Sequence, residues 1–460
     1  MPSARPGRKP RRWGVPLRRT FQWLAALWLV APCQSIAQPA RSLTVAEARA
    51  RARTLDAAAA MAEAREEWAA ARALEARANR WPQVIASGRY ARLSDVPAPT
   101  VAAPALGAVT LGQTVPNQAG VEAKVSIPLY TGSRLRNAQR SLEHAAHAAG
   151  GERDALQRQL EVAAETAYWR LYQARRGVEA VEETVRLVEA HRRDVERLER
   201  AGLAVADAVL EAEVRLSEAR LRRLEARHGA ALAQAALARV ACLPLDTRIA
   251  LTDTPSVQGE ELAPVTDLRR QAVARRPDLA ALAAAVTAAD SRAAAVRGER
   301  LPSVSAQASW DLSHPNSRYF PLRREWHGSW LVGVGVRWNA WDAGGHKARR
   351  LQAEAELRQA EARLRQAREG VAHEVLQRRL AAIEAARRVA LARQAVAQSA
   401  EHARLVRRRF EAGAALSTEA LDAEVSLEGA RLSLARALAE GSIARAEMAL
   451  AIGATGEKPR

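Results

Sequence analysis

Two hydrophobic periods alternate along the chain, one typical of coiled-coil helices and the other typical of strands. The helical period runs through two proline-free stretches, 134–197 and 346–409. Both carry an apolar seam at or near heptad spacing: Val178, Val181, Val185, Val188 and Val195, then Val389, Ala392, Val396, Ala403 and Val406. This spacing predicts left-handed coiled coils. Each stretch of about 64 residues would extend roughly 95 Å as a helix, which is far longer than globular helices are.

Between the helical stretches, apolar and polar residues alternate with a period of two. The apolar positions of three segments are Val121, Ala123, Val125 and Ile127, then Val304, Ala306, Ala308, Trp310 and Leu312, then Trp330, Val332, Val334, Val336 and Trp338. A weaker segment, 83–93, carries Val84, Ala86 and Tyr90 on one parity. The pattern predicts four strands of about ten residues, each with one apolar and one polar face.

The strands have the length that a tilted strand needs to cross a bilayer. Aromatic residues near their ends suit the two membrane interfaces: Tyr90, Trp310, Trp330 and Trp338. A soluble two-faced sheet packed on helices is the alternative. Four strands cannot close a barrel, and open edges are not tolerated in lipid. A membrane location therefore predicts that several chains share one barrel.

The sequence is duplicated. The segment RAGLAVADAVLEAEVRLSEARL starting at Arg200 aligns without a gap on EAGAALSTEALDAEVSLEGARL starting at Glu411, 211 residues further on. Pro82 and Pro302, 220 residues apart, precede the two predicted strand pairs. The loop of the first strand pair is therefore nine residues longer, whereas the helical parts match in length. Equal helix lengths predict two helical pairs that stand side by side with their tips level.

The repeats define the domain boundaries, and a short tail, 453–460, follows the second repeat. The first repeat is 38–242, with a β-hairpin at about 83–130, a helical hairpin at about 134–242 and a tip at 201–203. A linker, 243–265, follows it. The second repeat is 266–452, with a β-hairpin at about 302–340, a helical hairpin at about 346–452 and a tip at 412–414. Residues 44–80 read as one helix.

Residues 1–37 have the layout of an export signal. A basic leader precedes the apolar run FQWLAALWLVA, and small residues at Ser35 and Ala37 suit cleavage after Ala37. The run is too short to span a bilayer as a helix. Cleavage leaves Cys242 as the only cysteine, so no internal disulfide is expected.

Charge and motifs narrow the function classes. The net charge of +19 includes seven basic residues in the first 20 positions, and the helices elsewhere alternate Arg with Glu. Such alternation is typical of solvated faces, so no nucleic-acid binding is expected. No nucleophile, phosphate-loop or metalloprotease constellation occurs, which argues against an enzyme. His144 and His147 lie i,i+3 without further ligands, so no metal and no cofactor are expected.

An ordered set of segments resembles the outer-membrane efflux proteins of the TolC family. These are LTVAEARARA (43–52), IPLYTGSRL (127–135), RRPDLAALAAAVTAADSRAAAVRGERLPSVSA (275–306), VRWNAWDAGG (336–345) and the paired Ala-Gly tips. Asn339-Ala340 departs from the family's usual Pro-Leu. The resemblance implies a mainly α protein with a transmembrane β part. It also implies a homotrimer with a shared twelve-stranded barrel in outer-membrane lipid and a periplasmic coiled-coil tunnel whose tips dock to an adaptor protein bound to an inner-membrane pump.

Site residues follow from the tips and from the resemblance. Glu419 and Asp422 lie i,i+3 on one helix face, and three chains would supply six carboxylates around one axis. Glu211 is the first-repeat counterpart of Asp422. Acids in a first helical turn are also favoured by the helix dipole alone. The resemblance places Phe410 at a gating contact, and it places adaptor docking at the tips: Ala201, Gly202, Leu203, Ala412, Gly413 and Ala414.

The sequence therefore predicts a passive outer-membrane channel of a tripartite efflux or secretion system in a Gram-negative bacterium, gated at its periplasmic tip. Two alternatives place no barrel in the membrane. A periplasmic adaptor would have one helical hairpin flanked by split lipoyl-like β segments. In a soluble coiled-coil scaffold, the alternation of apolar and polar residues in the strands would be accidental.

Overall fold

The computed structural model describes residues 41–94, 100–103, 107–110, 115–202, 205–256, 262–320, 322–412 and 414–454. They lie in one compact unit, Ala40–Arg460. The predicted export signal, 1–37, lies outside the described residues, as do Leu203 and Gly413 of the tips.

The described helices fall into two sets of equal lengths. The first set is α1 (Val45–Leu55), α2 (Ala57–Ala78), α3 (Arg134–Arg200) and α4 (Ala206–Val240), and the second is α5 (Val265–Arg275), α6 (Pro277–Gly298), α7 (Gly345–Glu411) and α8 (Ser417–Ala451). Both sets have 11, 22, 67 and 35 residues in that order. A helix of 67 residues is about 100 Å long. The duplication is thus seen in the helices, whose lengths and order are the same in both halves of the chain.

The prediction of one helix over 44–80 is wrong. The chain leaves helical geometry at Asp56, which is extended (φ −70, ψ 137), and the Asp56 carboxylate accepts a hydrogen bond from the Ala58 N–H at 2.7 Å. The second repeat breaks at the equivalent place, where Arg276 is extended and Pro277 begins α6. Proline suits a first helical position because that N–H has no intrahelical partner. The helix is therefore interrupted at the same place in both repeats, by a capping aspartate in the first and by a proline in the second.

Eight strands are described: β1 (Arg41–Leu43), β2 (Gln83–Arg92), β3 (Thr100–Ala103), β4 (Gly107–Thr110), β5 (Asn117–Tyr130), β6 (Ile249–Leu251), β7 (Ser303–His314) and β8 (His327–Arg337). The four long strands form one antiparallel sheet in the order β2-β5-β7-β8. The short strands β3 and β4 pair in the longer loop of the first hairpin. They were not predicted from the sequence.

A parallel pair, β1 with β6, ties the start of the described chain to the predicted linker. Tyr168 of α3 is fully buried beneath this pair. Its hydroxyl donates to the Leu43 carbonyl at 3.2 Å and accepts from the backbone N–H groups of Thr252 at 3.0 Å and Asp253 at 2.9 Å. The Asp253 carboxylate in turn accepts from the Val45 N–H at 2.7 Å, at the start of α1. Residues 249–253 of the predicted linker are therefore part of the folded core.

The two repeats pack through α3 and α6, which approach each other closely. A Cβ at Gly151 would lie 2.9 Å from both the Ala281 Cβ and the Pro277 carbonyl oxygen. Among the described residues, α6 is the one helix long and apolar enough to cross a bilayer by length and composition. Its apolar character comes mainly from alanine, whose small side chain permits this close packing against α3.

Candidate functional site

The register of the sheet aligns the apolar positions of all four long strands. Val84, Val125, Ala308 and Val332 are direct neighbours across the sheet, which places them on one face. This face is bare: Trp330 is 75% exposed and Val332 is 72% exposed. The soluble alternative requires a layer that buries this face, and no described helix covers these side chains. The chain thus presents a large apolar sheet surface.

The four predicted interface aromatics lie at two levels of the sheet, and all are exposed. Trp310 and Trp330 pair with each other in the register near the loop end of the sheet, and Tyr90 lies toward the same end. Trp338 follows β8 at the helix end, where its indole N–H donates to the Arg300 carbonyl at 3.1 Å. Two aromatic levels about one strand length apart are typical of a membrane-spanning sheet.

The opposite face of the sheet is polar, and the loop between β7 and β8 folds over it. Glu122, Asp311 and Ser329 are direct neighbours on this face. Asn316, only 2% exposed, donates from its side-chain amide to the His327 carbonyl at 2.9 Å and to the Ser329 hydroxyl at 3.1 Å. A single asparagine in a polar segment carries no periodic signal, so the sequence pattern does not predict this loop.

At the tip, the structure brings together acids from both repeats. Arg215 of α4 lies 2.8 Å from the Glu211 carboxylate and 3.8 Å from the Asp422 carboxylate of α8. Glu419 lies in the first turn of α8 and is exposed, as is Asp422. The helical spacing predicted the shared face of Glu419 and Asp422. It gave no sign of Arg215, whose position depends on how α4 and α8 lie against each other.

A second cross-link involves Glu424, two residues after Asp422 on α8. Arg407 of α7 pairs with Glu424 of α8. Phe410 lies in the last turn of α7 and is 42% exposed, close in sequence to this pair. The last turn of α7 also places the Arg409 guanidinium on the Ala414 carbonyl at 3.3 Å. The tip of the second repeat is therefore held mainly by arginine.

His191 of α3 is buried beside the Arg215 cluster. Burial, and after it the positive charge of Arg215, lowers the pKa of His191. The negative charges of Asp194, Asp422 and Glu211 act in the opposite direction. The net effect favours the neutral form of the imidazole.

The two tips end their long helices in the same way. Gly202 follows α3 with a left-handed φ of 70, and its N–H donates to the Glu199 carbonyl at 2.8 Å. Nothing lies within 4 Å of the place where a Cβ would stand at Gly202. Ala201, Ala412 and Ala414 are exposed. The first tip thus presents small residues and open backbone, with Gly202 capping the helix.

Within the described ranges, no group of three or more His, Cys, Asp or Glu side chains is placed to hold a metal ion. The rings of His144 and His147 lie 6.4 Å apart, between centroids. Cys242 is half-buried, and burial raises the pKa of its thiol.

Several solved outer-membrane channels have the same fold. The VceC outer membrane protein of Vibrio cholerae has a TM-score of 0.73 at 17% identity, covering 90% of this chain and 97% of that one. The Campylobacter jejuni CmeC channel has a TM-score of 0.74 at 14% identity, covering 89% and 85%. The open state of the Neisseria gonorrhoeae MtrE channel has a TM-score of 0.71 at 18% identity, covering 89% of each.

The sequence has no match among curated proteins. A family model, described as outer membrane efflux protein, matches residues 44–242 and 268–454, which is most of the chain. The two matched ranges coincide closely with the two structural repeats. The chain belongs to the outer membrane efflux protein family and is an outer-membrane channel of a Gram-negative tripartite efflux system, extending into the periplasm.

Proposed function

We propose that three copies of this chain close one twelve-stranded barrel and one helical tunnel, and that the tunnel is constricted by carboxylates at its tip. Members of the family are trimeric channels that work with adaptor and inner-membrane pump partners. The observation that carries the proposal is the four-stranded sheet with a bare apolar face. Among the described strands, β2 and β8 each pair on one side only. Lipid does not tolerate such edges, so β2 of one copy pairs with β8 of the next.

The packing of the helices also supports a closed trimer, because contacts between the two repeats within one chain can recur between copies. Leu421 and Val425 of α8 pack in a cluster with Val185 and Val188 of α3, across the repeat boundary. Their counterparts 211 residues earlier, Leu210 and Val214 of α4, are 60% and 59% exposed. In a ring of six similar helical hairpins, α4 meets α7 of the next copy as α8 meets α3 within the chain. Leu210 and Val214 are then buried between subunits.

The constriction would be made by Glu419, Asp422 and Glu211 from three copies. Arg215 bridges Glu211 and Asp422 within one chain. The bridge holds two carboxylates of each copy at one level, and Glu419 adds a third near it. Converging carboxylates in a narrow passage attract cations and repel anions. We propose a passive conduit in which Phe410 and the nearby Arg407–Glu424 pair contribute the contacts that hold the tips together.

Adaptor docking is assigned to the tips. Their exposed alanines and the open space around Gly202 accept a close-packing helical hairpin from a partner without displacing a side chain. The periplasmic adaptor and the inner-membrane pump are the partners that this position implies. A soluble adaptor or scaffold is not favoured, because its sheet would leave the apolar face in water.

The carboxylate constriction predicts a change in channel properties. In planar bilayers, the wild-type protein should open to small, cation-selective conductances. Glu419→Ala with Asp422→Ala should raise the conductance by about twofold or more and remove the cation preference, because fixed negative charge is lost at the narrowest point. Single-channel recording with a salt gradient measures both.

Glu369→Ala is the matched control, since Glu369 is an exposed carboxylate of α7 far from the tip. It should leave conductance and selectivity unchanged. Channels that respond equally to the control and to the tip variant would contradict the assignment of the constriction. Unchanged conductance and selectivity in the Glu419→Ala, Asp422→Ala channel would also contradict the constriction, although the protein would still be a conduit.

A further inference from the structure

A groove lies where β5 ends and α3 begins, at the helix end of the sheet. It has a volume of about 220 Å³, and its lining includes Arg80, Leu129, Tyr130, Thr131, Ser133 and Arg136. Two arginines, three hydroxyl-bearing side chains and an apolar wall thus share one small space. No carboxylate belongs to the lining.

The positive charge of the groove is not neutralised within the described part of the chain. Arg80 donates to the neutral side-chain carbonyl of Gln139 at 2.8 Å, which fixes its guanidinium without cancelling its charge. The Gln139 amide donates to Glu143 at 2.7 Å, so this acid is engaged away from Arg80. Arg136 is exposed on the first turns of α3 and forms no ion pair with a described residue. The groove therefore suits an anion.

A bulge in β5 turns the groove toward the apolar face. In the register, Pro128 pairs with Ser305 and Tyr130 pairs with Val304, so Leu129 is the extra residue. An extra residue shifts the alternation of the strand by one. Tyr130 thereby joins Val304 on the apolar face, and Leu129 and Tyr130 are 58% and 48% exposed. The wall of the groove is continuous with the surface that faces lipid.

The basic pair is repeated in the second half of the chain. Arg300 stands 220 residues after Arg80, and Lys347 stands 211 residues after Arg136. Trp341, 83% exposed, occupies the place of Tyr130. The second copy differs in holding acids: Glu299 and Asp342 both pair with Arg349 at 3.0 Å. The groove of the first repeat therefore has more net positive charge than the equivalent residues of the second repeat.

We propose that the first groove binds an anionic phospholipid of the periplasmic leaflet of the outer membrane. Arg80 and Arg136 hold the phosphate, and an acyl chain lies along Leu129 and Tyr130. Guanidinium groups match phosphate oxygens in geometry and charge, and tyrosine is favoured at the membrane interface. The site lies where the strands give way to the periplasmic helices, which is the level of the lipid headgroups. The proposal rests on the membrane-spanning sheet of the proposed function.

Lipid titration of the purified, delipidated protein tests the site. Native mass spectrometry would count bound phosphatidylglycerol and phosphatidylcholine on the wild type and on variants. Arg80→Gln with Arg136→Gln should weaken phosphatidylglycerol binding about tenfold, since two charge-assisted contacts are lost. Arg134→Gln is the matched control, because Arg134 is exposed on the same helix turn and does not line the groove. It should retain wild-type binding.

Other outcomes would overturn the proposal. An equal loss in the Arg134 control would show that overall charge, not the groove, attracts the lipid. An equal or larger loss in Arg300→Gln with Lys347→Gln would contradict the preference for the first groove, and so would equal binding of phosphatidylcholine by the wild type. Flotation with phosphatidylglycerol vesicles distinguishes a failure of the proposed membrane-spanning sheet from a failure of the lipid site alone. A wild type that does not float would overturn the proposed membrane sheet itself, whereas floating variants with undiminished lipid binding would overturn only the lipid site.

Discussion

Replacing Leu210 and Val214 with glutamate should abolish the trimer while leaving the fold of each chain intact. Both side chains are largely exposed in one copy, so glutamate costs little there. Their counterparts in the second repeat, Leu421 and Val425, pack against α3, where Leu421 is only 7% exposed. Burying a leucine or valine contributes about 1.5–3 kcal/mol, and a buried unpaired carboxylate adds a further cost.

Each trimer contains the interface three times, so the effect is multiplied. We expect at least a hundredfold loss of trimer, measured by light scattering after size-exclusion chromatography in detergent. Phe320→Glu is the control, because Phe320 is 82% exposed in the loop between β7 and β8, away from the helices. It should leave the trimer unchanged. A stable trimer of the Leu210→Glu, Val214→Glu variant would show that α4 does not face the next copy.

Gly151→Val should prevent the two repeats from packing. The new Cβ would lie 2.9 Å from the Ala281 Cβ and from the Pro277 carbonyl oxygen, and backbone on the α6 side cannot rotate away. The long helices must separate or bend to admit it. Overpacking in a well-packed site costs typically 1–3 kcal/mol, and we expect a loss of about 3 kcal/mol or more at this backbone contact.

Denaturant midpoints followed by circular dichroism measure this loss, together with the yield of folded protein. Gly151→Ala should lose less, because it adds the Cβ without the branched methyl groups. Gly429→Ala is the matched control: nothing lies within 4 Å of its Cβ position, and alanine should raise helix stability by up to about 1 kcal/mol. Equal midpoints for Gly151→Val and wild type would contradict the close approach of α3 and α6.

The parts of the fold that follow from periodicity could be predicted from the sequence. A proline-free stretch of about 64 residues that carries a heptad seam has few alternatives to a long helix. The seams include Val185 and Val389, which are buried in the structure. The two-residue period of β7 and β8 set the apolar face, and the register aligns the same residues. The duplication supplied the equal helix lengths, because insertion into a coiled coil would shift its seam.

Other features depend on contacts that the sequence does not display. β1 and β6 have three residues each, too few to show a period, and their pairing relies on the buried Tyr168 hydroxyl. The break at Asp56 lies among helix-forming alanines, so only a cap marks it. At the tip, helical spacing placed Glu419 and Asp422 on one face. The bridge through Arg215 required the relative position of two distant helices.

If three chains close one barrel, the duplication gives the register between neighbouring copies. Shifting the β5–β7 pairing of Val125 with Ala308 by the two repeat distances pairs Val336 of one copy with Gly88 of the next. Gly88→Cys with Val336→Cys, in a background lacking Cys242, should therefore form disulfides between chains in the membrane.

Disulfide cross-linking in the membrane, followed on a non-reducing gel, shows whether neighbouring copies share one barrel. A shared barrel predicts covalent dimers and closed trimers for Gly88→Cys with Val336→Cys. It predicts no such species for Val84→Cys with Val336→Cys, a pair displaced by about 13 Å along the strand. Monomers alone from the first pair, with both thiols open to labelling in the membrane, would contradict the shared barrel.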